Sequence, residues 1–251
     1  MPQPDSKRVS RDRYDAVLFD LDGVVTDTAS IHATCWKQMF DEYLQKRWSQ
    51  RGKAFRPFDL ATDYRLYVDG KPRFDGVRDF LASRGMQLPE GNPDDPAEVE
   101  TVCGLGNRKN DLVNHVIADV GVVPYDGTVR FIHQLRRNGF KIAVVTSSQN
   151  CTVVLKAAKL NDLFEVQVDG NTIQAQRLAG KPAPDTFLMA ARLLGVEPTR
   201  TVVIEDAISG VRAGVNGRFG LVIGIARKGN AEELRDQGAH LVVDDLAELL
   251  D

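Results

Sequence analysis

Residues Val17–Thr28 read VLFDLDGVVTDT, and the fold turns on how this run is read. Up to its first acid stand four consecutive apolar residues, Ala16 to Phe19, with β-branched and aromatic content and no helical spacing. Such a run predicts a strand covered on both faces, as in the middle of a parallel sheet. Asp20 and Asp22 then fall where the strand ends, the edge at which open parallel sheets bind ligands. Two acids at that edge repel each other unless a cation or a substrate offsets them. Gly23 frees the backbone just beyond, and a bend there turns main-chain N–H groups toward an anion. Taken alone, D-x-D-G is as readily an ordinary turn, because Asp and Gly are turn residues. The strand before it, Asp27 and Thr28 after it, and three elements later in the chain weigh toward a site.

Composition excludes several classes. At 251 residues and 43% hydrophobic content the chain can bury a full core, as one large domain or two small ones. A net charge of −3 gives no broad basic field, so no nucleic-acid partner is expected. No apolar stretch approaches the roughly 20 residues that span a bilayer, so no membrane partner is expected either. The opening MPQPDSKRVSRDR is polar and lacks an apolar segment, which predicts a disordered tail over residues 1–13. Cys35, Cys103 and Cys151 are odd in number and far apart, which points to a reducing cytoplasm and away from a disulfide or structural metal framework.

Beyond Thr28 the pattern changes. Ile31, Cys35, Trp36, Met39, Phe40 and Tyr43 recur at three and four, the spacing of an amphipathic helix. Gln45 to Pro96 reads as loops with short helices around Val77 to Arg84, Leu105 to Val120 as a helix, and Gly121 to Asp126 as a linker. From Gly127 a regular alternation follows: a helix to Asn138, a strand at Lys141–Thr146, a helix at Thr152–Leu160, and a short strand near Phe164–Val168. A helix at Pro184–Leu194, a strand at Thr201–Ile204, a helix at Ile208–Val215, and strands at Phe219–Ile225 and Leu241–Val243 complete it. Alternating strands and helices predict an α/β fold, a doubly wound parallel sheet with right-handed crossovers. Residues 29–123 interrupt that pattern after its first strand and predict a helical cap inserted into a core of 14–28 and 124–251.

Three polar clusters fall at the right places. Strand Lys141–Val145 runs into Thr146, Ser147, Ser148, Gln149 and Asn150, whose hydroxyls suit phosphate oxygens and suit a helix N-cap equally. Lys181 lies in Gly180–Asp185, GKPAPD, just ahead of two prolines that fix the local backbone; it reads either as a solvated lysine or as an ammonium set between a carboxylate and a phosphate. The strand Thr201–Ile204 runs straight into Glu205 and Asp206. Adjacent acids are usually surface charge, yet an apolar strand leading into them predicts burial and a partner cation. With Asp20 and Asp22 they form a hard-oxygen set suited to Mg2+.

In the order DLDGVVTDT, VVTSS, GKPAPD and VVIEDAISG, these segments resemble the four motifs of the haloacid dehalogenase superfamily of phosphotransferases, over residues 15–251. The resemblance implies a Rossmann-like core with an inserted helical cap. It implies that Asp20 is the nucleophile that forms an aspartyl-phosphate and Asp22 the general acid/base. Thr146 and Lys181 match its phosphate-binding positions. Glu205 and Asp206 match its magnesium acids, completed by the Asp20 carboxylate and the Asp22 main-chain carbonyl.

Further strings resemble the β-phosphoglucomutase subfamily. DTASIHATCWK places His32 and Trp36 on its first cap helix, with the histidine near the general acid/base. Arg73 matches the cap arginine for a distal phosphate; Arg108, Lys109 and Asn110 match a sugar-phosphate signature. By residue type alone His32 reads as a polar helix face, Trp36 as core packing, and Arg108 with Lys109 as a solvated basic turn. The resemblance implies Mg2+-dependent interconversion of β-glucose 1-phosphate and glucose 6-phosphate through a bisphosphate. A sugar-phosphate phosphatase using water as acceptor is the alternative. A small phosphosugar is the expected partner, with Ser147, Ser148 and Asn150 among its contacts, and a monomer is expected. Two departures stand out: Lys46–Tyr67 lengthens the cap, and Gln149 stands where lysine is common.

Overall fold

The computed structural model describes residues 9–49, 55–227 and 229–251. The chain begins with β1 (Ala16–Phe19), followed by α1 (Ala29–Ser49), α2 (Arg73–Ser83), α3 (Val102–Val120) and α4 (Asp126–Arg137). Next come β2 (Lys141–Val145), α5 (Cys151–Ala157), β3 (Val166–Val168), α6 (Gly170–Gln176) and α7 (Asp185–Leu194). Last are β4 (Thr201–Glu205), α8 (Ile208–Asn216), β5 (Leu221–Ile225), α9 (Ala231–Asp236) and β6 (Leu241–Val243). Two compact units result: the described residues up to Asp27 with Val122–Asp251, and Thr28–Gly121.

The first unit is built on a six-stranded sheet in the order β3-β2-β1-β4-β5-β6, and every pairing is parallel. This is the expected doubly wound α/β fold. β1 lies between β2 and β4, so the strand order reverses at β1, and a crevice opens at the carboxyl ends of neighbouring strands there. Phe19 is level with Val144 on one side and Ile204 on the other. All residues of β1, β4 and β5 are buried, which is why they read as continuous apolar runs. One core cluster joins Leu18, Val145 and Val203 to Phe187 and Ala191 of α7 and Val211 of α8.

Two short helices were not expected. α6 begins after Asp169, whose carboxylate accepts from the Thr172 N–H, and buries little apolar surface beyond Ile173. α9 buries only Leu234. Helices of six or seven residues leave no room for a repeating apolar stripe, so periodicity misses them.

The second unit is helical around an aromatic core. Trp36 stacks on Phe40 with ring centroids 5.2 Å apart, and Phe40 meets Phe80 at 4.1 Å. Phe58 and Phe80 pack edge to face at 4.9 Å. Helix α1 continues past the expected loop at Gln45 to Ser49. Lys46 and Arg47 lie in its last turn, where cations favour the helix dipole, and both pair with Glu100. Helix α3 starts three residues earlier than expected because the Thr101 hydroxyl caps it, accepting from the Gly104 N–H at 2.9 Å. Within the cap's long segment, a π-helical turn at Tyr64–Val68 replaces the expected loop, and residues 50–54 lie outside the described residues.

Of the tail expected over residues 1–13, the first eight lie outside the described residues. Val9–Arg13 departs from that expectation. The N–H groups of Arg13 and Tyr14 donate to the Ser10 carbonyl. The Arg200 guanidinium pairs with Asp15 and reaches the carbonyls of Arg11 and Asp12. Among the described residues, no helix is long and apolar enough to cross a membrane. The three cysteines are free and buried.

Candidate active site

Each acid of the first unit is delivered by a strand end. Asp20 directly follows β1, and its N–H donates to the Ile204 carbonyl at 3.0 Å, which continues the ladder one residue beyond the strand. Glu205 closes β4 and Asp206 follows it. Asp20, Glu205 and Asp206 are all buried and can each offer an oxygen within 4.8 Å of the others. Asp22, half-buried, accepts from the Thr146 hydroxyl at 3.3 Å, beyond the end of β2.

Lys181 is the counter-charge. Its side chain is fully buried, and its ammonium donates to Asp20 Oδ1 at 2.6 Å, to Glu205 Oε1 at 2.5 Å and to the Val145 carbonyl at 3.2 Å. A cis Lys181–Pro182 bond and the Asn216 side-chain amide, which donates to the Pro182 carbonyl at 3.0 Å, shape the turn that presents it. Burial would push this ammonium down, but Asp20 and Glu205 overcome that and hold it above its ordinary value. Burial in turn pushes Asp20 well above the carboxylate range against the pull of Lys181, and Glu205, Asp22 and Asp206 add to the rise. Glu205 is raised by burial and by Asp206, again against Lys181. Four acids thus face one ammonium, an excess of negative charge that a divalent cation would offset.

Two glycines make this crowding possible. Gly23 sits at φ +95°, and a Cβ there would lie 2.2 Å from Asp206 Oδ2. Any other residue would drive the Asp20–Gly23 loop off the acid pair. A Cβ on Gly210 would lie 1.8 Å from Glu205 Oε1. The other Glu205 oxygen accepts from the N–H groups of Asp206 and Ala207, so this carboxylate also shapes the loop behind it. The three convergent carboxylates, hard oxygens in a buried setting, fit a divalent cation.

The polar cluster after β2 is a built turn. The Thr146 hydroxyl accepts from the Ser148 N–H at 3.1 Å, and the Ser148 hydroxyl accepts from the Asn150 N–H at 3.1 Å. Ser147 stands between them, and its carbonyl would meet a Cβ on Gly170 at 2.8 Å. Asn150 stands at the N-cap position of α5 without a side-chain cap hydrogen bond, so the capping reading of this cluster does not hold there, while Thr146 turns to Asp22. Gln149 is spent on Gln174, at 3.0 Å.

In the second unit, Lys109 is buried with its ammonium 2.7 Å from His32 Nδ1 and 4.9 Å from the centroid of the Trp36 ring. The ammonium and the imidazole are thus within hydrogen-bond distance of each other. The basic turn is therefore not simply solvated. Trp36, 3% exposed, belongs to the aromatic core, which its residue type implied. Arg73 donates to Asn107 Oδ1 at 2.7 Å and lies over the Phe74 ring. Arg108 donates to the Ala97 carbonyl at 2.8 Å, so it braces the loop before α3, and the half-buried Asn110 lies two residues further along the helix.

Sequence reasoning passed over Arg227, Tyr125 and Asn230. Arg227 donates to the Gly23 carbonyl at 2.8 Å, pairs with Asp245 at 2.8 Å and lies 3.7 Å over the Tyr125 ring. The Asn230 amide donates to the Asp206 carbonyl at 3.4 Å. Nothing in local spacing marks contacts across 204 residues.

Residues 14–217 match the family model described as haloacid dehalogenase-like hydrolase. A beta-phosphoglucomutase of Mycobacterium tuberculosis is 52% identical over 94% of this chain and 91% of its own length. A beta-phosphoglucomutase of Bacillus subtilis is 32% identical over 79% of this chain and 77% of its own. Among solved structures, a beta-phosphoglucomutase from Clostridium difficile superposes with a TM-score of 0.71 at 25% identity, covering 94% of this chain and 93% of that one. A sheet that reverses at β1, with acids at the ends of β1 and β4 converging on a buried lysine, is what these matches lead one to find, and the chain belongs to the haloacid dehalogenase-like hydrolase family, in its beta-phosphoglucomutase subfamily.

Proposed function

We propose that this chain is a Mg2+-dependent beta-phosphoglucomutase that interconverts β-D-glucose 1-phosphate and D-glucose 6-phosphate through an aspartyl-phosphate on Asp20 and a glucose 1,6-bisphosphate intermediate. The observation that carries it is the buried Asp20 carboxylate, held at a sheet edge by Lys181 and crowded by three further acids. The identity to named beta-phosphoglucomutases selects the mutase among phosphoryl transfers.

In the first half-reaction, an Asp20 oxygen attacks the phosphorus of the bisphosphate. The bond from phosphorus to the sugar oxygen breaks, and Asp22 gives that oxygen its proton. In the second, Asp22 takes the proton from the 6-hydroxyl of β-glucose 1-phosphate, whose oxygen attacks the aspartyl-phosphate and frees Asp20; the bisphosphate so formed turns end for end and returns its 1-phosphate to Asp20, leaving glucose 6-phosphate. Thr146 accompanies Asp22 by its hydroxyl, while Ser147, Ser148 and Asn150 supply donors to the transferring group. Lys181 screens the repulsion between the anionic nucleophile and the anionic phosphate. Mg2+, held by Asp20, Glu205, Asp206 and the Asp22 carbonyl, would neutralise developing charge on the phosphoryl oxygens. The second phosphate falls to the inserted unit, with Arg73 as its bidentate partner and His32, Arg108, Lys109 and Asn110 engaging the sugar phosphate. The reading takes a phosphosugar as partner to a cytoplasmic monomer.

A coupled assay tests it. Formation of glucose 6-phosphate from β-glucose 1-phosphate, dependent on Mg2+ and a trace of the bisphosphate, is expected. Inorganic phosphate as the dominant product would turn the reading to a sugar-phosphate phosphatase, with water as acceptor.

A further inference from the structure

The loop after β5 touches both acidic loops from behind, and none of the four motifs includes it. Arg227 reaches the nucleophile loop by donating to the Gly23 carbonyl at 2.8 Å. Three residues on, Asn230 reaches the acid loop by donating to the Asp206 carbonyl at 3.4 Å. We propose that Arg227 and Asn230 are positioning residues that clamp the Asp20–Gly23 loop against the Glu205–Asp206 loop and so set the divalent-cation affinity of the acid cluster.

The geometry gives the clamp its direction. Gly23 and Asp206 are in such close approach that a single added carbon would stand 2.2 Å from the carboxylate. Four acids crowd that contact, and their mutual repulsion favours spreading the two loops apart when no cation is bound. A charge-assisted hydrogen bond to the Gly23 carbonyl opposes the spread on one side, and an amide on the Asp206 carbonyl opposes it on the other. Both donors follow β5, three residues apart in sequence. The first is anchored next to the sheet, since the Ala226 N–H donates to the Val243 carbonyl at 2.8 Å.

Arg227 is held on its remaining sides as a rigid arm. Asp245 takes one end of the fork at 2.8 Å, and the Tyr125 ring lies 3.7 Å beneath the guanidinium carbon. The Tyr125 hydroxyl donates to Asp27 Oδ1 at 2.9 Å, and its phenol is pushed up to about 12, by burial first and by Asp27. Asp27 and Tyr125 belong to the two crossings by which the chain leaves and re-enters the first unit, and these crossings are themselves joined. The Asp27 N–H donates to the Val123 carbonyl, and the Tyr125 N–H to the Val25 carbonyl. A lysine at 227 could keep the charge but could not hold the Gly23 carbonyl and Asp245 with one planar fork over a ring.

The inference rests on the reading of the acid cluster as a cation site, and calorimetric titration of Mg2+ into the metal-free full-length protein separates the two. Partners one step removed from a metal's ligands change its affinity by roughly 10- to 100-fold. Arg227→Lys and Asn230→Ala are each expected to weaken Mg2+ binding by about tenfold, and excess Mg2+ should restore turnover with KM for the sugar phosphate little changed. Tyr125→Leu, which leaves the Arg227 donor in place but removes its support, should give a smaller loss in the same direction. Melting temperatures identify variants that simply fail to fold, and the comparison is made among those that stay folded. Mg2+ affinity within about twofold of the unaltered protein in folded Arg227→Lys and Asn230→Ala would overturn the clamp and leave the cation site standing. No Mg2+ binding by the unaltered protein would remove the cation site, and the clamp with it.

Discussion

The two units hold their buried lysines in different ways. In the first, Lys181 is matched directly to Asp20 and Glu205, and acids outnumber the ammonium. In the second, Lys109 rests on an imidazole nitrogen and an indole face, and Arg73 on an amide oxygen and a phenyl ring. The first arrangement is tense until a cation arrives. In the second, Arg84 pairs with the buried Asp63, while the contacts just named for Lys109 and Arg73 are to neutral groups.

The largest break should come from the nucleophile. Asp20→Asn keeps the shape and one hydrogen bond to Lys181 but cannot attack phosphorus, and turnover should fall by at least about 10⁴-fold. Acid quenching after incubation with labelled bisphosphate checks it: a covalently labelled Asp20→Asn protein would remove Asp20 from its role.

Next is the counter-charge. Lys181→Met leaves Asp20 and Glu205 buried without their cation, and removal of one partner from such a group costs about 3–5 kcal/mol. Urea unfolding of metal-free protein reads this directly. A loss below about 1 kcal/mol would mean that the lysine serves turnover alone.

On the other side of the contrast, Arg73→Ala should lower mutase turnover by about 10- to 100-fold, the value of a lost charge-assisted hydrogen bond to phosphate. Hydrolysis of a small phosphate ester, which has no second phosphate, should change little. Equal losses for both substrates would place Arg73 in the fold of its unit instead.

The smallest effect is one of pH. Asp20 and Glu205 are raised from 3.8 and 4.5 by burial, with neighbouring acids adding to it against Lys181. In the window above those ordinary values the folded chain holds protons that the unfolded chain has lost. Their contribution to stability is therefore complete below the unfolded values and is lost as pH rises through the folded ones. Metal-free protein should lose a few degrees of Tm across that rise, and saturating Mg2+ should flatten the slope. Melts that are equally steep with and without Mg2+ would contradict the cation reading.

What was legible in the sequence follows from how locally each feature is encoded. The strands β1, β4 and β5 are buried along their whole length because both sheet faces are covered, and the acids after β1 and at the end of β4 inherit their positions. Asp20, Lys181, Glu205 and Asp206 were found by residue type at a strand end or a rigid turn. The helix α6 left only a cap, Asp169 with Thr172, as its signal. Val9–Arg13 reads as a polar tail until Arg200, nearly 190 residues away, is seen to hold it. Arg227 belongs to the same class: its partners Gly23 and Tyr125 are neighbours only once the sheet has formed.

The central claim is that the phosphoryl group on Asp20 passes to a sugar rather than to water. Phosphoenzyme made with labelled glucose 1,6-bisphosphate and freed of excess ligand can be chased in Mg2+ with or without β-glucose 1-phosphate, and the label followed by rapid quench. The account predicts that the sugar phosphate accelerates loss of label from the protein by at least about 100-fold and that the label appears in the bisphosphate. Release as inorganic phosphate at the same rate with and without the sugar would contradict it.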